Sequence, residues 1–229
     1  MNKNEKFVIT INRELGSGGH TVGRKLAEKL DVEFYNKTLI KELQKKFNLS
    51  VEEIERLKGR EHGWWADFKR NMGESLLYTT MEDTFMYPDM ASTVLYSNYH
   101  KLHEEDYPNL IDTDEVFQAE TEILKGIAED ESCIIAGRSG FYVFRDHPNH
   151  LSILIQASLP HRIDRVMRKQ NISEEEARKI IEKVDKMREN YVNRYTHSSR
   201  YDTRNYDLVI SADGKTEDEM VNIIVKYIG

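Results

Sequence analysis

The stretch from Ile9 to Leu30, Ile-Thr-Ile-Asn-Arg-Glu-Leu-Gly-Ser-Gly-Gly-His-Thr-Val-Gly-Arg-Lys-Leu-Ala-Glu-Lys-Leu, constrains this chain more than any other. It reads as a short apolar strand, a glycine turn and an amphipathic helix. Four of the 12 glycines, Gly16, Gly18, Gly19 and Gly23, fall here, so the turn calls for positive φ or for close approach of a ligand to the backbone. A turn that opens a helix also gathers unpaired N–H groups and the positive end of the macrodipole at one point. Strand, glycine turn and helix in this order describe a cradle for phosphate. The same order also serves as a tight connection that binds nothing. The Walker pattern asks for Gly-Lys-[Ser/Thr] where this chain has Gly18-Gly19-His20.

The 229 residues suffice for one large α/β domain, or for one that carries insertions. A net charge of −7 argues against general nucleic-acid binding. The charge is uneven: residues 161–204 hold twelve Lys/Arg and eight Asp/Glu, a local surplus of four positive charges. A basic segment on an acidic protein suits a small anionic ligand, although a solvated helix face gives the same run. No apolar stretch is long enough to span a membrane, and the first residues are too polar for a secretory leader. The single cysteine, Cys133, excludes a disulfide framework and reads as a small buried hydrophobe. These features lead us to expect a cytoplasmic enzyme or binding protein with no nucleic-acid or membrane partner.

Five short apolar runs, at 6–12, 31–36, 132–136, 151–156 and 206–211, alternate with helical patterns. The helices are expected at 19–30, 37–47, 114–130, from Pro160 onward, from the Ser173/Glu176 capping box to about Tyr195, and at 216–228; Ser50 with Glu53 caps one more. Strands separated by helices imply an α/β fold, a three-layer, doubly wound, five-stranded parallel sheet. One domain over 1–229 is expected, with a helical insertion at 58–113 and a lid-like helical hairpin at 159–205. The insertion is rich in aromatic and Met residues (Trp64, Trp65, Phe68, Met72, Met81, Phe85) and reads as packing, a substrate-binding element or a homodimer face. His100 and His103 within it supply no rigid ligand set, so no protein-held metal is expected. Ligands of such sheets bind at the carboxyl ends of the strands, where Asn12, Asn36, Arg138 and Gln156 fall.

Three constellations carry candidate chemistry. The glycine turn is the first. The second is Gly137-Arg138-Ser139-Gly140, where an arginine emerging between glycines can fork onto phosphate or pair with a carboxylate. The third is the basic hairpin, with Arg162, Arg165 and Arg168 every three residues and Asp185 with Arg188 one turn apart. Phosphoryl transfer needs several positive groups around phosphate oxygens with water excluded, and arginines on a mobile hairpin supply them.

The ordered set Ile-Thr-Ile-Asn-Arg-Glu-Leu-Gly-Ser-Gly-Gly, Leu26-Ala-Glu-Lys-Leu30, Glu33-Phe-Tyr-Asn-Lys37, Ile134-Ile-Ala-Gly-Arg138 and Tyr206-Asp-Leu-Val-Ile210 resembles the cytidylate kinase-like family, within the P-loop nucleoside monophosphate kinases. The resemblance implies transfer of the ATP γ-phosphoryl group to a nucleoside monophosphate or another small acceptor, with Mg2+. By matching position, Gly16, Ser17, Gly18, Gly19, His20 and Thr21 would form the phosphate loop, and Asn36 and Arg138 would lie near the acceptor. Arg162 and Arg165 would belong to the lid, and Asp185 and Arg188 would reach toward the two nucleotides. The departures bear on chemistry. Gly19 replaces the Walker lysine, and Arg13 is the candidate for the lost charge. His20 leaves Ser17 or Thr21 to offer a hydroxyl to magnesium. Asn36 and Ser139 stand where the family pattern has Asp. A catalytically silent nucleotide- or phosphate-binding protein on a kinase scaffold is therefore the alternative, and a function seated in 58–113 a third.

Overall fold

The structure, a computed structural model, describes residues 1–36 and 114–229. The helices expected at 37–47 and after Ser50, and the insertion expected at 58–113 as packing, a substrate-binding element or a homodimer face, lie outside the described residues. The chain divides into two compact units, residues 1–36 with 131–229, and residues 37–130.

The first unit holds one sheet of five strands: β1 (Val8–Arg13), β2 (Glu33–Asn36), β3 (Cys133–Ala136), β4 (His150–Gln156) and β5 (Leu208–Ser211). Their order is β2-β3-β1-β4-β5, and every neighbouring pair is parallel. β1 is central, in register with β3 from Val8↔Cys133 and with β4 as far as Arg13↔Ile155. A strand covered on both faces needs apolar side chains on both, which is why the central runs are continuous rather than alternating. β3 and β4 flank β1 on opposite sides, so the carboxyl end of β1 marks the switch point at which open α/β sheets bind ligands.

Helices cover both faces. On one, Val22 and Leu26 of α1 (Gly19–Leu30) join Ile9, Ile11, Ile153 and Ile155, together with the last helix. On the other, Phe141, Val192 and Tyr206 close over Leu154. Each fully buried Ile or Leu contributes about 1.5–3 kcal/mol of transfer free energy, so this double layer outweighs the exposed ion pairs. Gly23, which the sequence groups with the turn, lies inside α1. A Cβ there would stand 2.7 Å from Phe34 Cε2, so Gly23 sets how closely helix and sheet approach.

The remaining helices are α2 (Asp114–Asp130), α3 (Gly140–Val143), α4 (Leu159–Gln170), α5 (Glu174–Thr196) and α6 (Glu217–Ile228), with a 3-10 turn at Thr203–Asn205. In α2, which belongs to the second unit, Ile123, Leu124 and Ile127 are buried as their spacing predicts, and Phe117 is half-buried. The α4–α5 hairpin has its own core of Ile163, Val166, Ala177 and Ile181. The Ser173/Glu176 capping box forms in both directions, and a second one forms at Thr216/Glu219. Such caps hold about 1 kcal/mol each.

Where β1 meets β4, His150 Nε2 lies 2.7 Å from Thr10 Oγ1. Burial pushes the imidazole down to about 4, against the opposing pull of the Asp207 charge. The folded state therefore holds it neutral while the unfolded chain protonates it near 6.5. Its contribution is fully present above that value and is lost as pH falls from there toward 4, by up to about 1.4 kcal/mol per pH unit. Urea unfolding at pH values between about 6.5 and 4.5 checks this. The stability of the wild-type protein should fall more steeply than that of His150→Gln, and parallel curves would count against it.

Candidate functional site

The glycine turn bends through Gly16 (φ +86°) and Gly18 (φ +81°) before α1 begins. No side chain caps α1 and no acidic residue occupies its first turn, so nothing of that kind competes for the N-terminal N–H groups. The turn is braced from beneath. Leu15 packs on the hairpin core, and a Cβ on Gly16 would meet the Arg162 carbonyl oxygen at 2.7 Å. The buried Ser17 donates its hydroxyl to the Glu14 carbonyl at 3.0 Å, which commits that oxygen to the loop's own shape.

Asp185, on α5, joins hairpin and turn. Its buried carboxylate accepts the Leu15 N–H at 3.1 Å and pairs with Arg162, with Arg200 at 3.4 Å and with Arg188 at 3.9 Å. Arg200 is fully buried and donates to the Arg13 carbonyl, as does Arg188 at 3.3 Å. Glu14 accepts the Ala157 N–H at 2.9 Å and lies 3.8 Å from Arg162 Nε. Three guanidinium groups, of Arg162, Arg188 and Arg200, thus gather at Asp185, and the Glu189 carboxylate accepts the Arg200 N–H at 3.1 Å. Sequence reading found Arg13, Arg162, Asp185 and Arg188 but missed Glu14 and Arg200. The acid inside the turn was a usable signal for Glu14; Arg200 carries no periodicity that could mark it.

Around this centre the other predicted residues divide. The Arg165 guanidinium lies over Gly18, within 3.4–3.6 Å of where a Cβ would stand, and Nη2 donates to Thr21 Oγ1 at 3.5 Å. Its counter-ion is Glu217 at 2.6 Å. Burial raises the Glu217 carboxyl, but its own N–H and Arg165 outweigh this and hold it below its ordinary value. Gly19 abuts the Arg13 stem. His20 sets its ring edge-on to Phe34, 5.1 Å between centroids, a packing role. Arg138 is buried and rests on Tyr191, 4.6 Å above the ring, with Nη2 donating to the phenol oxygen at 2.6 Å. Asn36 is buried in register with Ala136, just before that turn. Asn12 donates to the Tyr206 hydroxyl, which itself donates to the Arg200 carbonyl. Burial pushes Tyr206 up to about 12.

Gly137, Arg138 and Ser139 adopt φ of +83°, +54° and +53° in succession. Two non-glycine residues in the left-handed region cost about 1–2 kcal/mol each, and such strain concentrates at functional turns. The Ser139 hydroxyl is buried without a hydrogen-bond partner, a further cost of about 1–3 kcal/mol. Among the described residues no group of three His, Cys, Asp or Glu could hold a metal ion, and no helix is long and apolar enough to cross a membrane.

A sequence model of the cytidylate kinase-like family matches residues 8–213, which include the sheet, both glycine turns and the hairpin. The chain belongs to this family. The cytidylate kinase-like sequence thus folds as a kinase-like scaffold. Among solved structures, an uncharacterized protein from Eubacterium ventriosum is similar over 97% of this chain and 98% of its own, at 24% identity and a TM-score of 0.64. A shikimate kinase from Bacteroides thetaiotaomicron (12% identity, 97% and 98% coverage, TM-score 0.47) and one from Acinetobacter baumannii in complex with shikimate (14%, 97% and 93%, 0.43) also align. No curated protein matches the sequence.

The hub makes a stability prediction. Asp185→Ala leaves Arg200 buried and uncompensated, which should destabilise this kinase-like protein by about 3–5 kcal/mol in urea unfolding. Asp185→Asn keeps an acceptor for the Leu15 N–H and should lose less. A loss for Asp185→Ala no larger than that for exposed Asp164→Ala would contradict the role given to the hub.

Proposed function

We propose that this protein is an ATP-dependent phosphotransferase acting on a nucleoside monophosphate, cytidylate-like, or on another small acceptor. The observation that carries the reading is the uncapped N-terminus of α1, opened by Gly16 and Gly18 at the end of the central strand, with the Arg13 and Arg165 side chains against it. In this reading Gly16, Ser17, Gly18, Gly19, His20 and Thr21 wrap the donor phosphates, mainly through backbone N–H groups. Arg13 and Arg165 neutralise phosphate oxygens as the bond from the γ-phosphorus to the bridging oxygen breaks and the bond to the acceptor oxygen forms, releasing ADP. Arg162, Asp185 and Arg188 hold the loop in shape. Arg138 and Asn36 face the acceptor.

Mg2+ would arrive on the nucleotide's own phosphates and supply charge neutralisation, with Thr21 Oγ1 as the hydroxyl at the loop's mouth. Residues 159–205 would act as a lid anchored at its base, and 58–113 as an acceptor-binding or homodimer element of the same 1–229 domain. A cytoplasmic setting fits this chemistry. Asn36 and Ser139 favour a phosphate acceptor over a hydroxyl one. A monophosphate oxygen is already anionic at neutral pH and needs no carboxylate base, whereas a hydroxyl does.

The inward Ser17 hydroxyl and the packed His20 favour the second reading, a silent nucleotide-binding protein. A panel of nucleoside monophosphates with ATP and Mg2+, read as ADP release beside an ATP melting-temperature series, separates the two. Turnover with at least one monophosphate is expected. A melting-temperature rise with ATP but no turnover on any acceptor would overturn the first reading for the second.

A further inference from the structure

The phosphate-loop pattern is Gly, four residues, then Gly-Lys-[Ser/Thr]. Counting back from Gly18 puts its first glycine at position 13 and its lysine at position 19. This chain carries the two residue types interchanged, with Arg13 and Gly19. The structure gives the interchange a steric cause. A Cβ on Gly19 would lie 2.6 Å from Arg13 Cβ, 3.1 Å from Arg13 Cγ and 3.3 Å from Ile155 Cβ, closer than packed side chains approach. Positions 13 and 19 therefore share one volume, and only one of them can carry a side chain. Here the stem of Arg13 fills it, and glycine is required on the helix.

The other end of Arg13 is also placed. Its Nη1 lies against Gly137, where a Cβ would stand, so the side chain runs from the first glycine turn to the second. A side chain at 137 would displace the guanidinium. The backbone of Arg13 is fixed by Arg188 and Arg200, which both donate to its carbonyl. A pinned backbone, a stem wedged against Gly19 and a tip at Gly137 amount to a preorganised cation at the switch point of the sheet.

We propose that Arg13 is the phosphate-binding cation of this loop, supplied from the strand in place of the helix lysine, and that it bridges the donor phosphates at Gly16–Thr21 to the acceptor side at Gly137–Gly140. The proposal rests on the reading of the loop as a nucleotide phosphate site. A guanidinium suits the task, since it stays charged and its planar fork contacts two oxygens at once.

The test is calorimetric binding of MgATP and of inorganic tripolyphosphate, with melting temperatures, on the full-length wild type and five variants. Arg13→Ala should weaken both probes by the same factor, at least about tenfold for a charge-assisted pair. Arg24→Ala, whose side chain pairs with Glu28 on the outer face of α1, should stay within about twofold of the wild type, since it removes only an exposed pair. Gly19→Ala should lower the melting temperature, and Arg13→Gly/Gly19→Ala should recover most of that loss. The exchange Arg13→Gly/Gly19→Lys should bind tripolyphosphate more tightly than Arg13→Ala. Equal effects of Arg13→Ala and Arg24→Ala in a wild type that binds both probes would overturn the proposal and leave the phosphate-site reading standing. A Gly19→Ala melting loss that Arg13→Gly does not relieve would overturn the shared volume. A wild type that binds neither probe would overturn both readings together.

Discussion

A single buried carboxylate, Asp185, fixes the shape of the glycine turn from outside it. The turn itself has few means of holding a conformation, because glycines at positive φ carry no side chains to pack. Asp185 compensates by taking the Leu15 N–H and pairing with three arginines, two of which also bond the Arg13 carbonyl. Burial decides which ion pairs of the hairpin matter. Exposed pairs such as Arg168–Asp164 and Lys179–Glu175 contribute about 0–1 kcal/mol. Breaking a buried pair costs several times more, because the remaining charge stays out of water. The loop's geometry is thus linked to the hairpin's position above all through Asp185.

The second glycine turn stores its cost differently. Gly137, Arg138 and Ser139 stand in the left-handed region one after another, and the Ser139 hydroxyl is buried without a partner. Sheet hydrogen bonding holds the start of this turn, since Gly137 donates to the Ile11 carbonyl at 3.0 Å. Arg138 is held at its far end by Tyr191 of α5. Both glycine turns are therefore braced by the same long helix. The two turns would respond together to any shift of α5.

The sheet was legible because central parallel strands must be apolar on both faces, which leaves continuous runs such as Val8–Ile11 and Leu151–Ile155 in the sequence. The long helices announced themselves through period and caps, Ser173 with Glu176 above all. The four-residue α3 and the 3-10 turn are too short for periodicity to register. At the site, the glycine turn and the hairpin arginines were visible as residue types, but their partners were not. Arg200 meets Arg13 across 187 positions, and no local pattern encodes such a contact. Gly23 looks like part of the cradle in sequence, yet it faces Phe34, whose ring sets the distance between α1 and the sheet.

A missing Walker lysine reads as a lost function only if the cation must come from the helix. What a phosphate loop requires is a positive group at a place, and that place is reachable from either side of the turn. Strand residue 13 and helix residue 19 meet at one volume, so a cation on one side requires glycine on the other. Moving it to the strand has a further consequence. The first turn of α1 then carries no long charged side chain. The cation then belongs to the central strand, its carbonyl held by two arginines, instead of to the first turn of a helix. The departures from the phosphate-loop pattern at 13 and 19 are thus one structural substitution seen at two positions.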